Sequence, residues 1–519
     1  MKARFEAGWG RWRRAIGPVA GIAFGAIALG LATPAGGAGE AASPSRSGYF
    51  HVVQDDGVWW LLDPLGRKHL SRGVNNVNYN GDFSPPLDYS PYGRAVREKY
   101  GSRDAWADAV SQRLREWGFN TIGSWSSEAL YKSGLAYTHN LNVARSVPDK
   151  PVFPDVFSEE FASTADRVAS QQCAPRREDV ALLGYYLDNE LHWGESWHSA
   201  RGLLALYFAL PGGAPGRAKA IEYLRSSYVT IGELNEALGS ALASWSELGE
   251  ASELRALGPQ IEDAQRAIQA SFFEQLVESG AITYETLVSG SKRMAGGSID
   301  ALNERLGTSY ESFEAAFAVR PMSATAKALR ELESGFSGRV AEQYFRVATQ
   351  AIRRHDPNHL ILGVRFGGVV FEPVARAMAP YVDVASVNEY RPLPGPEIER
   401  LHTWSGRPVM ITEFSFKAKD AGVPSDTSAS IALPTQADRA DAYERYVSAL
   451  AAIPHLVGYH WFQHHDQPAQ GRFDGENNNF GLVSNDDTPW PPLVDRVTEV
   501  NARVEAIHSQ SGKAPATAN

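Results

Sequence analysis

Two glutamates stand where an apolar run breaks off. The stretch ALLGYYLDNELHWG, residues 181–194, opens as a buried strand and ends in Asp188, Asn189 and Glu190. The stretch PVMITEFS, residues 408–415, is a second apolar run whose lone carboxylate is Glu413. Runs of this kind suit strands of a parallel sheet covered on both faces. An acid at the C-terminal end of such a strand lies where β/α barrels place their chemistry. Two carboxyl groups about 5–5.5 Å apart can hydrolyse a glycosidic bond with retention, one attacking the anomeric carbon while the other protonates the departing oxygen. On that reading Glu190 is the acid and Glu413 the nucleophile. The plainer alternative for residues 188–190 is a strand end whose acids cap the next helix.

Glu389 is the competing carboxylate, because it too ends an apolar run and follows an asparagine, Asn388. Its strand directly neighbours that of Glu413, so Glu389 is expected to turn away or to bind a hydroxyl. Other strand-end residues complete a substrate site. Asn189 can hold a sugar 2-hydroxyl, Tyr390 can aim Glu413 and keep it ionised, and Trp461 can floor a sugar subsite. Arg72, Asn75, His139 and Arg365 supply further polar contacts, and Asn388, Trp193 and Gln463 join the substrate-binding set. Rival chemistries fit less well. His460, His464, His465 and Asp466 crowd together, but His464 and His465 are consecutive and cannot both face one site on a strand. The sequence holds no HExxH, G-x-S-x-G, dinucleotide or P-loop pattern. No cofactor or metal is expected.

The elements that must carry these residues follow from the alternation of apolar and helical text. Residues 49–53 and 58–62, joined by Asp55-Asp56-Gly57, read as a hairpin capping the bottom of a barrel. Strands follow at 68–75, 118–125, 135–142 and 181–187, then at 360–366, 382–390, 409–416 and 456–463. Helical text separates most of them, including 103–117 and 438–452. This pattern predicts an α/β fold, a (β/α)8 TIM barrel with a long helical insertion after strand four. A doubly wound sheet is the alternative. The insertion, residues 200–337, contains a repeat: TIGELNEALGS at 230–240 recurs as SIDALNERLGT at 298–308, each followed by a serine and an aromatic. Two copies suggest paired helical hairpins rather than a solenoid.

Composition sets the outer limits. The chain has 519 residues, 43% hydrophobic, with 13 Trp, enough for a large core. A net charge of −10 argues against nucleic acid or an anionic membrane as partner. The single cysteine, Cys173, excludes an intrachain disulfide and any multi-thiolate metal site. Arg11, Arg13 and Arg14 precede an apolar, small-residue run to Ala32, which reads as a signal peptide over 1–41 and a linker over 42–48. The expected catalytic barrel covers 49–508, with a disordered tail at 509–519. Such a chain is periplasmic or secreted from a bacterium, or retained by an uncleaved anchor.

The ordered set DNELHWG at 188–194, ITEF at 411–414 and GYHWFQ at 458–463 resembles the clan A retaining glycoside hydrolases. With GVWWLLDP at 57–64 and SRGVN at 71–75, it is most similar to the exo-acting β-agarase family, with β-galactosidases as further relatives. The resemblance implies Glu190 as acid/base, Glu413 as nucleophile and a carbohydrate substrate. Agarases of this kind carry a large N-terminal carbohydrate-binding-like domain, for which the residues before Tyr49 leave no room. β-Glucosidase or β-glucanase specificity on the same barrel, or a non-catalytic carbohydrate-binding barrel, are the alternatives.

Overall fold

The computed structural model describes residues 48–513 apart from 150, 195 and 428. The expected signal peptide and nearly all of the linker, together with the tail from 514, lie outside the described residues. Strands β1 (His51–Asp55), β2 (Val58–Leu62) and β3 (Lys68–His69) form a small antiparallel sheet. The large sheet takes β4 (Ser71–Val74), β5 (Thr121–Ile122), β6 (Ala136–Asn140), β7 (Leu182–Tyr186), β8 (Leu360–Ile361), β9 (Phe366–Gly367), β10 (Ala385–Asn388) and β11 (Val409–Phe414). A two-stranded parallel ribbon, β12 (Lys417–Ala418) and β13 (Ala432–Leu433), precedes its last member, β14 (Leu456–Trp461).

The large sheet has the order β8-β7-β6-β5-β4-β14-β11-β10-β9, and every neighbouring pair is parallel. The protein is thus a mixed α/β fold built on a nine-stranded parallel sheet. β7, β11 and β14 are buried along their whole length, which is why they read as unbroken apolar runs. The two edge strands are halves of one segment, expected from sequence as a single strand over 360–366. Left-handed backbone at Gly363 (φ +81°) and Arg365 (φ +51°) divides it. Its backbone bonds to β7 on one side, Leu187 N–H to Gly363 O at 2.9 Å. On the other, Asp383 N–H donates to Ile361 O at 2.9 Å and Arg365 N–H to Ser386 Oγ at 3.0 Å.

The N-terminal ends of the strands are plugged. Phe50, just before β1, and Leu61 of β2 pack with Leu183, Leu360, Val384, Met410 and Val457 in one buried cluster. Water is therefore excluded from that end, and the opposite end is where β7 and β11 deliver their carboxylates.

Between β7 and β8 the described chain is helical. The two repeat copies use one device. Asn235 donates to Leu242 O and accepts from Leu242 N–H, while Asn303 does the same with Tyr310, and left-handed Gly239 and Gly307 end the two helices. The helix Ala324–His355 then runs unbroken for 32 residues through position 337, the expected end of the insertion. Its buried Leu329, Phe336, Val340 and Tyr344 keep one apolar stripe on both sides of that position.

Candidate active site

The tip of β7 assigns its three polar residues three different partners. Asp188 is fully buried and accepts from Ala144 N–H at 2.8 Å and Tyr344 OH at 2.6 Å, so it fixes the loop after β6. Asn189 accepts from Arg365 Nη1 at 2.9 Å and from Asn388 Nδ2 at 3.1 Å. Glu190 adopts a left-handed backbone, φ +50°, which turns its carboxyl away from the strand direction. Its Oε1 accepts from Asn388 Nδ2 at 2.8 Å. Gly367 leaves room beside it: a Cβ there would stand 2.6 Å from the Trp197 ring and 3.4 Å from Glu190 Cγ.

Glu413, at the tip of β11, is gripped more firmly. Oε1 pairs with Arg365 Nη2 at 2.9 Å, and Oε2 accepts from Tyr390 OH at 2.5 Å. A bulge between Val387 and Asn388 sets Asn388 opposite Glu413 in the β10–β11 register. Thr412 Oγ1 donates to Asn388 Oδ1 at 2.7 Å, which leaves the Asn388 amide nitrogen to face β7. Asn388 and Arg365 thereby hold both strand tips in one network. Arg365 is itself fully buried, with its guanidinium 4.3 Å from the centre of the Trp125 ring.

The electrostatics separate the two carboxyl groups. Removal from water, followed by the neighbouring Glu413 charge, pushes Glu190 up to about 8. Burial also raises Glu413, but Arg365 and then the Tyr390 hydroxyl pull it back toward the ionised form. Burial and the Glu413 charge thus favour the proton on Glu190, while Arg365 and Tyr390 favour the charge on Glu413.

Of the remaining expected site residues, some converge on this network and some do not. Asn75 is buried and ties Thr412 O (2.9 Å) to Ser124 N–H (2.8 Å) beneath the pair. Gln463 accepts from Asn76 Nδ2 at 3.0 Å and donates to Asp82 at 2.7 Å. Arg72 points to the opposite face of its strand, donating to Gly118 O and pairing with Glu505. His139 likewise meets Gln172 of the flanking helix Glu159–Gln172, at 2.8 Å. Trp461 is fully buried against Phe414 and Tyr443, its indole donating to Phe480 O at 2.9 Å. Trp193 stacks on Phe345. Glu389 turns outward, accepting from Tyr446 OH at 2.9 Å and Gly395 N–H. His460 bonds Ser71 Oγ at 2.9 Å, and His465 stacks on Tyr92, so the histidines do not converge.

Sequence reasoning missed the aromatic and charged rim. Trp125 is 37% exposed on a left-handed backbone (φ +58°) and meets Phe462 edge to face, while Phe462 in turn meets Tyr390. Arg472 lies over Phe462 and pairs with Glu476 at 2.7 Å, and both charges act on Glu413. Their only sequence signal was the long polar run after β14.

Two curated proteins are similar to this chain over most of its length. β-Agarase B of Vibrio sp. (strain JT0107) is 25% identical over 90% of this chain and 49% of its own length. β-Agarase A of the same strain is 27% identical over 87% of this chain and 45% of its own. The chain is a relative of the β-agarases. It spans about half the length of these two relatives. An exo-β-agarase structure superposes with a TM-score of 0.65 at 24% identity, covering 89% of this chain and 66% of that one. The agarase AgWH50C superposes equally well at 25% identity, over 89% and 66%. No family model matches the chain.

Proposed function

We propose that this protein is a retaining β-glycoside hydrolase acting on an agarose-type galactan or its oligosaccharides. The observation that carries the reading is the division of labour at two strand tips: Glu413 held by a cation and a phenol, Glu190 held by one neutral amide and kept protonated. Glu413 attacks the anomeric carbon and forms a glycosyl-enzyme ester. Glu190 gives its proton to the leaving oxygen, then removes one from the water that hydrolyses the ester. Asn189, fixed by Arg365 and Asn388, presents its amide nitrogen toward a sugar hydroxyl. Trp125, backed by the buried Phe462, offers a flat apolar surface of the kind a sugar ring packs against.

The finer architecture belongs to the same proposal. Because residues 360–367 bond to β7 and to β10 at once, we read the sheet as closed into a (β/α)8 barrel over 49–508. Residues 200–337 are then the helical insertion after strand four. Residues 1–41 are proposed as a signal peptide, so that the enzyme meets its polysaccharide outside the cytoplasm. Among the described residues, no helix is long and apolar enough to cross a membrane.

The test is to incubate purified protein with agarose oligosaccharides and aryl β-galactosides, following the first-formed anomer by NMR. A β-product and a fluorosugar label on Glu413 are expected. An α-product, or a label on Glu389, would overturn the assignment.

A further inference from the structure

A second cavity, lined by neither catalytic glutamate, lies behind the loop that follows β7. It has a volume of about 430 Å³. Trp193 and Gly194 form one wall, Phe371 another, and the helices Gln260–Glu278 and Ala324–His355 supply Ile268, Gln269 and Leu329. A volume of this order suits a compact organic ligand.

Two polar groups of its lining are unspent. Trp193 Nε1 and Gln269 Nε2 are both buried, and neither has an acceptor among the described residues. One acceptor of the lining is already committed: Glu333 Oε2 and Oε1 take the Leu204 and Ala205 N–H groups at 2.6 and 3.1 Å. Gln269 Oε1 accepts from Tyr310 OH at 3.3 Å, which orients the amide and leaves its NH₂ as the unspent end. Buried donors without acceptors cost free energy, so a ligand bringing acceptor oxygens gains two hydrogen bonds without breaking any. Ile268, Leu329 and Phe371 meanwhile require an apolar face. Arg330 lines the cavity beside Glu331 and Glu333, so the charged side chains of its wall are of both signs and favour neither an anion nor a cation.

We infer that this cavity binds a small uncharged polyol, a mono- or disaccharide, at a site separate from the catalytic cleft. Sugars combine hydroxyl acceptors with an apolar C–H face, which is the pairing the walls present. The existence of the site does not depend on the proposed hydrolase activity; only the choice of galactosides as probes does.

The experiment uses the full chain carrying Glu413→Ala, labelled with ¹⁵N-tryptophan, and titrated with galactose and with a β-linked galactobiose. Trp193→Phe and Trp125→Phe identify the indole N–H signals of the cavity and of the cleft. A saturable shift of the Trp193 signal is expected. Gln269→Met, which keeps the volume and removes the donor, should weaken that binding by about 3–10-fold. A Trp193 signal unmoved by either sugar overturns the inference, whether or not Trp125 responds. Binding unaffected by Gln269→Met in a protein with an unchanged melting temperature overturns it too. A response of Trp193 without one of Trp125 upholds the cavity and counts against galactosides as ligands of the cleft.

Discussion

Glu190 and Glu413 end two strands of one sheet and carry the same side chain, yet the groups that hold them differ in charge. Glu413 is buried and bound by a guanidinium and a phenol. Glu190 keeps part of its surface open at the mouth and is held by the Asn388 amide. Burial raises both carboxyls, but Arg365 and Tyr390 offset part of that rise at Glu413 alone, and this contrast underlies the opposite roles proposed above. The difference is imposed from outside the pair, by β10 and by the broken segment between β8 and β9. The contrast between the two carboxyls is therefore written less in the glutamates than in Arg365, Asn388 and Tyr390.

The comparison can be broken most severely at Glu413. Glu413→Ala should lower kcat on the order of 10⁴-fold or more, since it removes the covalent route. Azide should restore part of the turnover and yield an α-glycosyl azide, detectable by NMR. Glu190→Gln should cost about 10²–10⁴-fold on substrates with poor leaving groups, and far less on dinitrophenyl glycosides. The basic limb of the kcat/KM profile, expected near pH 8, should flatten in that variant. Equal losses on both substrate classes would refute the acid role.

Next in size is the grip on Glu413. Arg365→Met should move the acidic limb to higher pH, because the cation holding Glu413 ionised is gone, with a rate loss of about 10²-fold. Tyr390→Phe should move that limb the same way by less and cost about 10-fold. An acidic limb that stays in place in both variants would show that neither residue sets the charge of Glu413.

The smallest effect is on stability. The folded-state pKa of Glu190 is raised from 4.5 to about 8, so folding favours its protonated form. Its contribution is full below about pH 4.5 and is lost as pH rises through about 8. Thermal unfolding should therefore show a melting temperature that declines over this window, and Glu190→Gln should lessen the decline. A steeper decline in the variant would contradict the raised pKa.

These differences also explain what was legible beforehand. β7 and β11 declared themselves because a strand covered on both faces must be apolar throughout, so a terminal acid stands out. The outward turn of Glu389 followed from its place on the neighbouring strand. Side-chain direction on the flanking strands was less legible, because it turns on a period of two and a shift of one residue reverses it. Ser71 and His460 bond each other inside the sheet, and their sequence neighbours Arg72 and Trp461 consequently point out toward the helices. His139 meets a flanking helix in the same way. The rim formed by Trp125, Phe462 and Arg472 was hidden for another reason: loops bring it together, and loops carry no periodicity.

One pairing described above bears on how the chain comes to be made. β4 hydrogen-bonds to β14, with Ser71 beside Gly458 and Val74 beside Trp461. The first strand of the large sheet thus acquires one neighbour only when nearly the whole chain has left the ribosome. Until then it presents an unsatisfied backbone edge, and the sheet cannot complete itself during synthesis. The export proposed above would gain from that delay. Truncation before β14 would leave the edge open permanently, and such a fragment should aggregate rather than survive as a smaller folded protein.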